Sequence, residues 1–303
     1  MSAAGTAPVL AGLLPLLGGE RAFEAAVASV ARPLDARGTE LEIGLPDGAR
    51  APLFALLADA LGTAHAADAA VLVVTATTRE AEDLMADLAA WMPAGSAALF
   101  PSWETLPHER LSPRSDTVGA RLAVLRRLAH PEAEGQSPLR VVVAPVRAVL
   151  QPLVAGLGDL APVSLRVGQE ADFEETVAAL ADAAYARVDM VSRRGEFAVR
   201  GGLIDVFPPT ADHPLRVEFF GDEVEQMRFF SVADQRSLQD TSGDGTGHPT
   251  ELHAPPCREL LITDHVRAKA RELQVRLPGA ADMLERIAEG VAVEGMESLS
   301  PLL

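Results

Sequence analysis

The sequence is short of the residues that carry most covalent and metal chemistry. Cys257 is the single cysteine in 303 residues, so an internal disulfide framework is excluded and no thiolate cluster exists to hold zinc. The seven histidines, His65, His108, His130, His213, His248, His253 and His265, never stand three or four apart, so no helical metal pair forms. No metal site and no cofactor are expected. No serine sits in a G-x-S-x-G elbow, and carboxylate pairs such as Asp222-Glu223 carry little signal in so acidic a chain. Lys269 is the only lysine; arginine supplies every other cation. No apolar run approaches the ~20 residues that span a bilayer, and no basic residue precedes the apolar N-terminal segment, which argues against a secretory signal. The expected location is cytoplasmic, with no membrane partner. A net charge of −17 argues against the chain wrapping nucleic acid. A protein or small-molecule partner fits better.

What is present divides in two. Residues 8–33 have helical spacing at Leu10, Leu13 and Leu14 and again at Phe23, Ala26 and Val27. A strand is expected over 39–44, a helix to Gly62, then strands at 69–76, 96–100 and 139–145 alternating with helices capped near Thr77 and from Thr117 to Leu128. Such alternation implies a mostly parallel sheet. After about residue 158 come a strand at 162–167, a helix at 173–185 and an aromatic meander. Residues 241–249 read as a glycine-rich linker, in which Asp240 and Asp244 lack the spacing of a calcium loop. Beyond it, a strand at 258–263 and helices over 264–277 and 280–290 are expected. The partition is thus 1–158 and 248–303 as one α/β body, with 159–247 as an inserted α+β domain.

The meander from Arg193 to Phe230 holds six of the ten phenylalanines, with apolar residues on every second position. Alternation in Arg216–Phe220 sends Val217 and Phe219 to one face and Arg216, Glu218 and Phe220 to the other. Arg200 likewise points away from the face of Phe197 and Val199, and Gly201-Gly202 reads as a bulge or sharp bend. Two arginines and an aromatic on an open face suit a protein-binding patch, although these residues alone favour a solvated face with one stray apolar residue.

A phosphate cradle could sit only between Gly44 and Ala51, where a strand is expected to meet a helix N-terminus. A working P-loop needs an ammonium followed by a hydroxyl that holds magnesium. Here Gly44 and Gly48 are followed by Arg50 and Ala51, so hydrolysis is not expected.

The segments Trp103–Pro107, Ser112-Pro113, Arg121-Leu122, Gly195–Gly202, Asp205–Pro208 and Asp234–Leu238 together resemble the N-terminal part of the bacterial transcription-repair coupling factors, the Mfd family. The resemblance covers about residue 39 to the end. It implies a UvrB-like fold: a degenerate P-loop, RecA-like parallel-sheet domain interrupted by an inserted antiparallel domain that binds UvrA. The family's UvrA-contacting positions fall on Arg200, Arg216 and Phe220. It further implies no NTPase activity in this chain, and a longer protein that is an ATP-dependent DNA translocase displacing stalled RNA polymerase. RNA polymerase and double-stranded DNA would be bound through regions absent here, and a C-terminal domain would mask the UvrA-binding face. The alternative is a UvrB-type P-loop ATPase or helicase subunit.

Overall fold

The computed structural model describes residues 8–30, 40–64, 69–106, 109–132, 138–238 and 249–303. It divides into two compact units, Met1–Ser102 with Val124–Gln151, and Trp103–Ala123 with Pro152–Leu303.

In the first unit the expected N-terminal helix is broken at Gly18-Gly19 into α1 (Leu14–Gly18) and α2 (Arg21–Val30). Then follow α3 (Arg50–Ala64), β1 (Val71–Thr75), α4 (Thr78–Leu88), β2 (Ala97–Leu99), α5 (Ser115–Ala129), β3 (Val141–Pro145) and α6 (Val146–Leu150). Helix α5 passes from the second unit into the first at residue 124. The three strands are parallel in the order β1-β3-β2. Central β3 is buried at all five positions, as a near-continuous valine run requires. Val141 and Val143 pack with Val73, Leu84 and Leu88 on one face, and Val142 and Ala144 with Val124 and Ala148 on the other. Thr77 caps α4 by accepting from the Glu80 N–H at 3.2 Å, while the Glu80 carboxylate accepts from the Ala76 N–H at 3.2 Å.

Two expected strands are absent. Of 39–44, Thr39 lies outside the described residues, and residues 40–46 form no strand, because an extended segment without a neighbouring ladder stays irregular. Residues 258–263 are not a strand either: Glu259 and Leu260 are buried consecutively, which breaks the period of two, and Thr263 is committed to capping the next helix. The linker at 241–249, with Asp240 and Asp244, lies outside the described residues except for Pro249.

The second unit contains β4 (Val163–Arg166), α7 (Phe173–Asp182), β5 (Ala186–Arg187), β6 (Glu196–Arg200), β7 (Leu203–Val206), β8 (Leu215–Phe220), β9 (Glu223–Phe229), β10 (Glu251–Ala254), α8 (Asp264–Arg276) and α9 (Ala281–Ala288). The meander forms its own sheet in the order β5-β6-β7-β8-β9, antiparallel except for the β5–β6 pair. Gly201-Gly202 is the two-residue turn of the β6–β7 hairpin, with Gly201 at φ +59° in the region that favours glycine. The inner face, with Phe197, Ile204, Val217 and Met227, packs on Val177 and Leu180 of α7.

The sequence reading groups residues 248–303 with the first domain, whereas residues 249–303 cluster here with the second unit. Strand β10 pairs antiparallel with β4, sending Leu252 and Ala254 inward. A second tie is electrostatic. Buried Arg121 donates to Glu259 at 2.5 Å, and the same carboxylate oxygen accepts from the Trp103 indole N–H at 3.0 Å. Ser112 Oγ donates to Glu297 Oε2 at 2.7 Å, and Arg258 Nη1 donates to Glu297 Oε1 at 3.0 Å. Gly295 closes this junction, since a Cβ there would stand 2.6 Å from the Arg110 backbone.

The lone thiol belongs to the core under the five-stranded sheet. Burial pushes Cys257 up to about 12 from its ordinary 9.0, an effect that the Tyr185 hydroxyl and Arg258 only partly offset. Burial also raises the Tyr185 phenol, whose hydroxyl donates to the Pro255 carbonyl at 2.8 Å. The unfolded chain releases both protons at lower pH than the folded one. The stability they contribute is therefore complete below about pH 9 and falls as pH rises, by up to about 1.4 kcal/mol per pH unit for each group. The urea midpoint should drop between about pH 9 and 11, and less steeply in Cys257→Ala. A flat profile would contradict the burial of these groups.

Candidate functional site

Cross-strand register defines the outer face of the five-stranded sheet. One row runs Ala198, Asp205, Arg216, Arg228, and the next runs Arg200, Leu203, Glu218, Gln226. Phe220 stands opposite Glu223 at the far end of β8. All three residues singled out by alternation, Arg200, Arg216 and Phe220, are on this face. They form a strip rather than a tight cluster: Arg216 and Phe220 are four residues apart, roughly 13 Å. A register shift between Glu218 and Phe219 leaves Glu225 as an extra residue in β9 and bends the strand there.

Their environments differ. Phe220 is 77% exposed, while its neighbour Phe219 turns inward and meets Phe173 edge to face at 5.2 Å. Arg200 is exposed and donates through Nη2 to the Asp189 carbonyl at 2.7 Å. Arg216 is not solvated as the open-face reading expects. Its side chain is only 18% exposed and Asp205 only 4%. The guanidinium donates from Nε to Asp205 Oδ1 at 2.6 Å and from Nη2 to Oδ2 at 2.8 Å. This hydrogen bonding raises the Arg216 pKa beyond its already high ordinary value. The guanidinium also lies 4.9 Å over the Phe230 ring.

The reason is that half of the polar face is roofed. Val191, Ala198, Phe207 and Phe230 make a second small core on it. The Asp234–Leu238 motif pins that roof: Gln235, at φ +59°, donates through Nε2 to the carbonyls of Val191 and Val232 at 3.2 and 3.0 Å. Leu238 N–H donates to the Phe229 carbonyl at 2.9 Å. Arg228 pairs with Glu218 beside Arg216.

Asp205 and Phe230 therefore hold Arg216 in place, which the sequence reading missed. One signal was available, since a carboxylate inside the apolar run Leu203–Phe207 must find a cation if that strand is buried. Phe230 gave none, because it belongs to the irregular segment after β9.

At the phosphate-cradle candidate, the strand half is missing. Asp47–Ala49 form a single 3-10 turn leading into α3. Neither Gly44 nor Gly48 has a neighbour within 4 Å of a would-be Cβ or a left-handed φ, so neither allows a close backbone approach that a larger residue would block. Arg50 is paired with Asp47 at 2.9 Å, at the place where a phosphate would need positive charge. Ala51 is buried. Among the described residues no group of three His, Cys, Asp or Glu could hold a metal ion, and no helix is long and apolar enough to cross a membrane.

The family description "UvrB interaction domain" matches residues 163–243, the segment that holds β4 to β9. The chain is 51% identical over 279 residues to the transcription-repair-coupling factor of Mycobacterium tuberculosis, covering 88% of this chain and 21% of that protein. It is 34% identical over 202 residues to the transcription-repair-coupling factor of Escherichia coli (66% of this chain, 17% of that protein). It is 30% identical over 203 residues to that of Bacillus subtilis (67% and 16%). The chain thus spans about a sixth to a fifth of the length of these curated relatives.

The three site residues should separate on stability. Arg216→Ala strands the Asp205 carboxylate in a buried site and should destabilise the domain by about 3 kcal/mol. Arg200→Ala and Phe220→Ala remove exposed side chains and should change stability by less than about 1 kcal/mol. Phe219→Ala, which opens the inner core, should cost about 3 kcal/mol. Urea unfolding measures all four. An Arg216→Ala domain as stable as the parent would show that the pair with Asp205 contributes nothing.

Proposed function

The chain belongs to the transcription-repair coupling factor family, and from that membership we infer that its inserted sheet domain is a docking module for UvrA, contacted through Arg200, Arg216 and Phe220. The observation that carries the reading is Phe220, 77% exposed at the end of a strand row whose other large side chains are packed or paired. An exposed phenylalanine gains apolar burial only when a partner covers it. Arginine beside it offers planar, bidentate recognition of a partner carboxylate. For Arg216 one edge is spent on Asp205, so Nη1 is the group left for a partner. Arg216 thus both supports the face and contributes to it.

We assign the first unit to a degenerate nucleotide-binding fold of P-loop, RecA-like, UvrB-like type, without NTPase activity of its own. The pairing of Arg50 with Asp47 supports this, as does the alanine where a magnesium-holding hydroxyl would stand. The domain limits we propose from the sequence pattern are 1–158, 159–247 and 248–303, with 249–303 clustering in the same compact unit as the inserted domain. In the longer protein we place an ATP-dependent DNA translocase that displaces stalled RNA polymerase and binds double-stranded DNA through regions outside these residues. There, a C-terminal domain would mask the UvrA-binding face. The expected compartment is the cytoplasm.

Titration of UvrA against the chain tests the site. Arg200→Ala and Phe220→Ala should each weaken binding about thirtyfold, equivalent to about 2 kcal/mol, without loss of folding. If both bind UvrA like the parent, the face is structural and the assignment fails. For the first unit, the double variant Arg50→Lys, Ala51→Thr should show no magnesium-dependent ATP turnover, because a lysine and a hydroxyl alone do not position water or hold the metal. Measurable turnover would mean that the rest of a working site survives.

A further inference from the structure

The row of the outer sheet face that carries Arg200 holds one apolar side chain, Leu203. It stands opposite Arg200 on β6 and opposite Glu218 on β8. Along β7 the pleat sends Ile204 and Val206 into the core under the sheet, so Leu203 and Asp205 point outward. Leu203 is half-buried there, and it packs with neither the core under the sheet nor the small core around Phe207 and Phe230. The Phe219 N–H donates to the Gly202 carbonyl at 2.9 Å, so β8 runs on past Leu203 alongside the β6–β7 turn. Phe220 follows Glu218 by two residues on the same face and is therefore diagonal to Leu203. Opposite side chains on a sheet face have Cβ atoms about 5 Å apart, and diagonal ones about 7 to 8 Å. Leu203 thus bridges Arg200 and Phe220, and the Gly201-Gly202 turn adds no side chain beside them.

We propose that Leu203 is a contact residue of the partner-docking face, joining Arg200 to Phe220 in one patch that UvrA covers with an apolar side chain, placing a carboxylate beside it for Arg200. This assignment rests on the docking reading above and adds a residue to it. The charges of the face decide which groups are free for a partner. Arg216 holds Asp205 and Arg228 holds Glu218, whereas Arg200 makes no ion pair among the described residues. Its bond to the Asp189 carbonyl orients the guanidinium without neutralising it. A cation kept without a carboxylate in a chain of net charge −17 suits an acidic group from outside. A half-buried leucine is ordinary in itself. What sets Leu203 apart is its place between that cation and a phenylalanine that is 77% exposed. One apolar partner side chain laid over Leu203 and Phe220 removes water from both, and it also dries the flank of Arg200, where a charge-assisted bond is then stronger.

The test is UvrA binding to the chain at two salt concentrations, comparing the parent with Leu203→Ala, Leu203→Met, Leu203→Lys, Arg200→Ala, Phe220→Ala and the double variant Leu203→Ala, Phe220→Ala. Leu203→Ala should weaken binding about tenfold and Leu203→Lys about a hundredfold, while Leu203→Met, of similar volume, should stay within about threefold of the parent. The double variant should lose less than the product of the single effects, since one partner side chain covers both positions. High salt should shrink the Arg200→Ala loss and leave the Leu203→Ala loss unchanged, which separates an apolar contact from a charge effect. Urea midpoints establish that each variant is folded when titrated. If Leu203→Lys unfolds the domain, Leu203→Ala decides in its place. If Leu203→Ala binds like the parent while Arg200→Ala and Phe220→Ala are weak, the docking face stands and Leu203 is not part of it. If the parent does not bind UvrA, or Arg200→Ala and Phe220→Ala bind as it does, the docking reading falls and the role of Leu203 falls with it.

Discussion

A pleated strand must send successive side chains to opposite faces, and the five-stranded sheet depends on that constraint throughout. Its inner face is filled by α7 and a continuous set of buried apolar residues. Except at the Glu225 bulge, every other side chain of β6 to β9 is thereby assigned to the outer face, whatever its polarity. Arg200, Asp205, Arg216, Glu218 and Phe220 are outside because Val199, Ile204, Val217 and Phe219 are inside or against the core. A slip of one residue in β8 would exchange the two sets and bury three polar or mismatched side chains.

That assignment leaves a problem the protein solves in two ways along the same face. Near its middle, charges are neutralised in pairs, Arg216 with Asp205 and Arg228 with Glu218, and roofed by Phe207, Phe230 and the Gln235 turn. At its far end, no described residue roofs Phe220, which stays open. Buried ion pairs contribute little net stability, yet breaking one is costly, which makes the middle of the face rigid. A braced centre with an open end fits the proposed docking of a partner with little rearrangement.

The segment between β2 and β3 shows how a motif can serve to tie distant parts of the chain together. Trp103, Ser112 and Arg121 are recognisable in the sequence, and their partners are Glu259 and Glu297, more than 130 residues downstream. The same two carboxylates explain why the Arg258–Thr263 run is not a strand. Glu259 is drawn inward by Arg121, and an inward carboxylate next to inward Leu260 cannot lie on a pleat.

Much of the architecture was legible beforehand, because periodicity is local. The valine run of β3, the Thr77 cap, helices α3 to α5 and α7 to α9 and the alternation in β6 to β9 all follow from residues a few positions apart. The outward direction of Arg200, Arg216 and Phe220 was legible for the same reason. Local pattern could not say whether outward meant solvated. Arg216 is enclosed because Asp205 from the next strand and Phe230 from a later turn converge on it. Residues 40–46 are no strand because no neighbour pairs with them, and Glu251–Ala254 is one because β4 does. The sequence by itself determined which side chains leave the core, through the two-residue period of a strand. Only the tertiary structure decided which of those were then covered, because burial and pairing depend on residues far away in the chain.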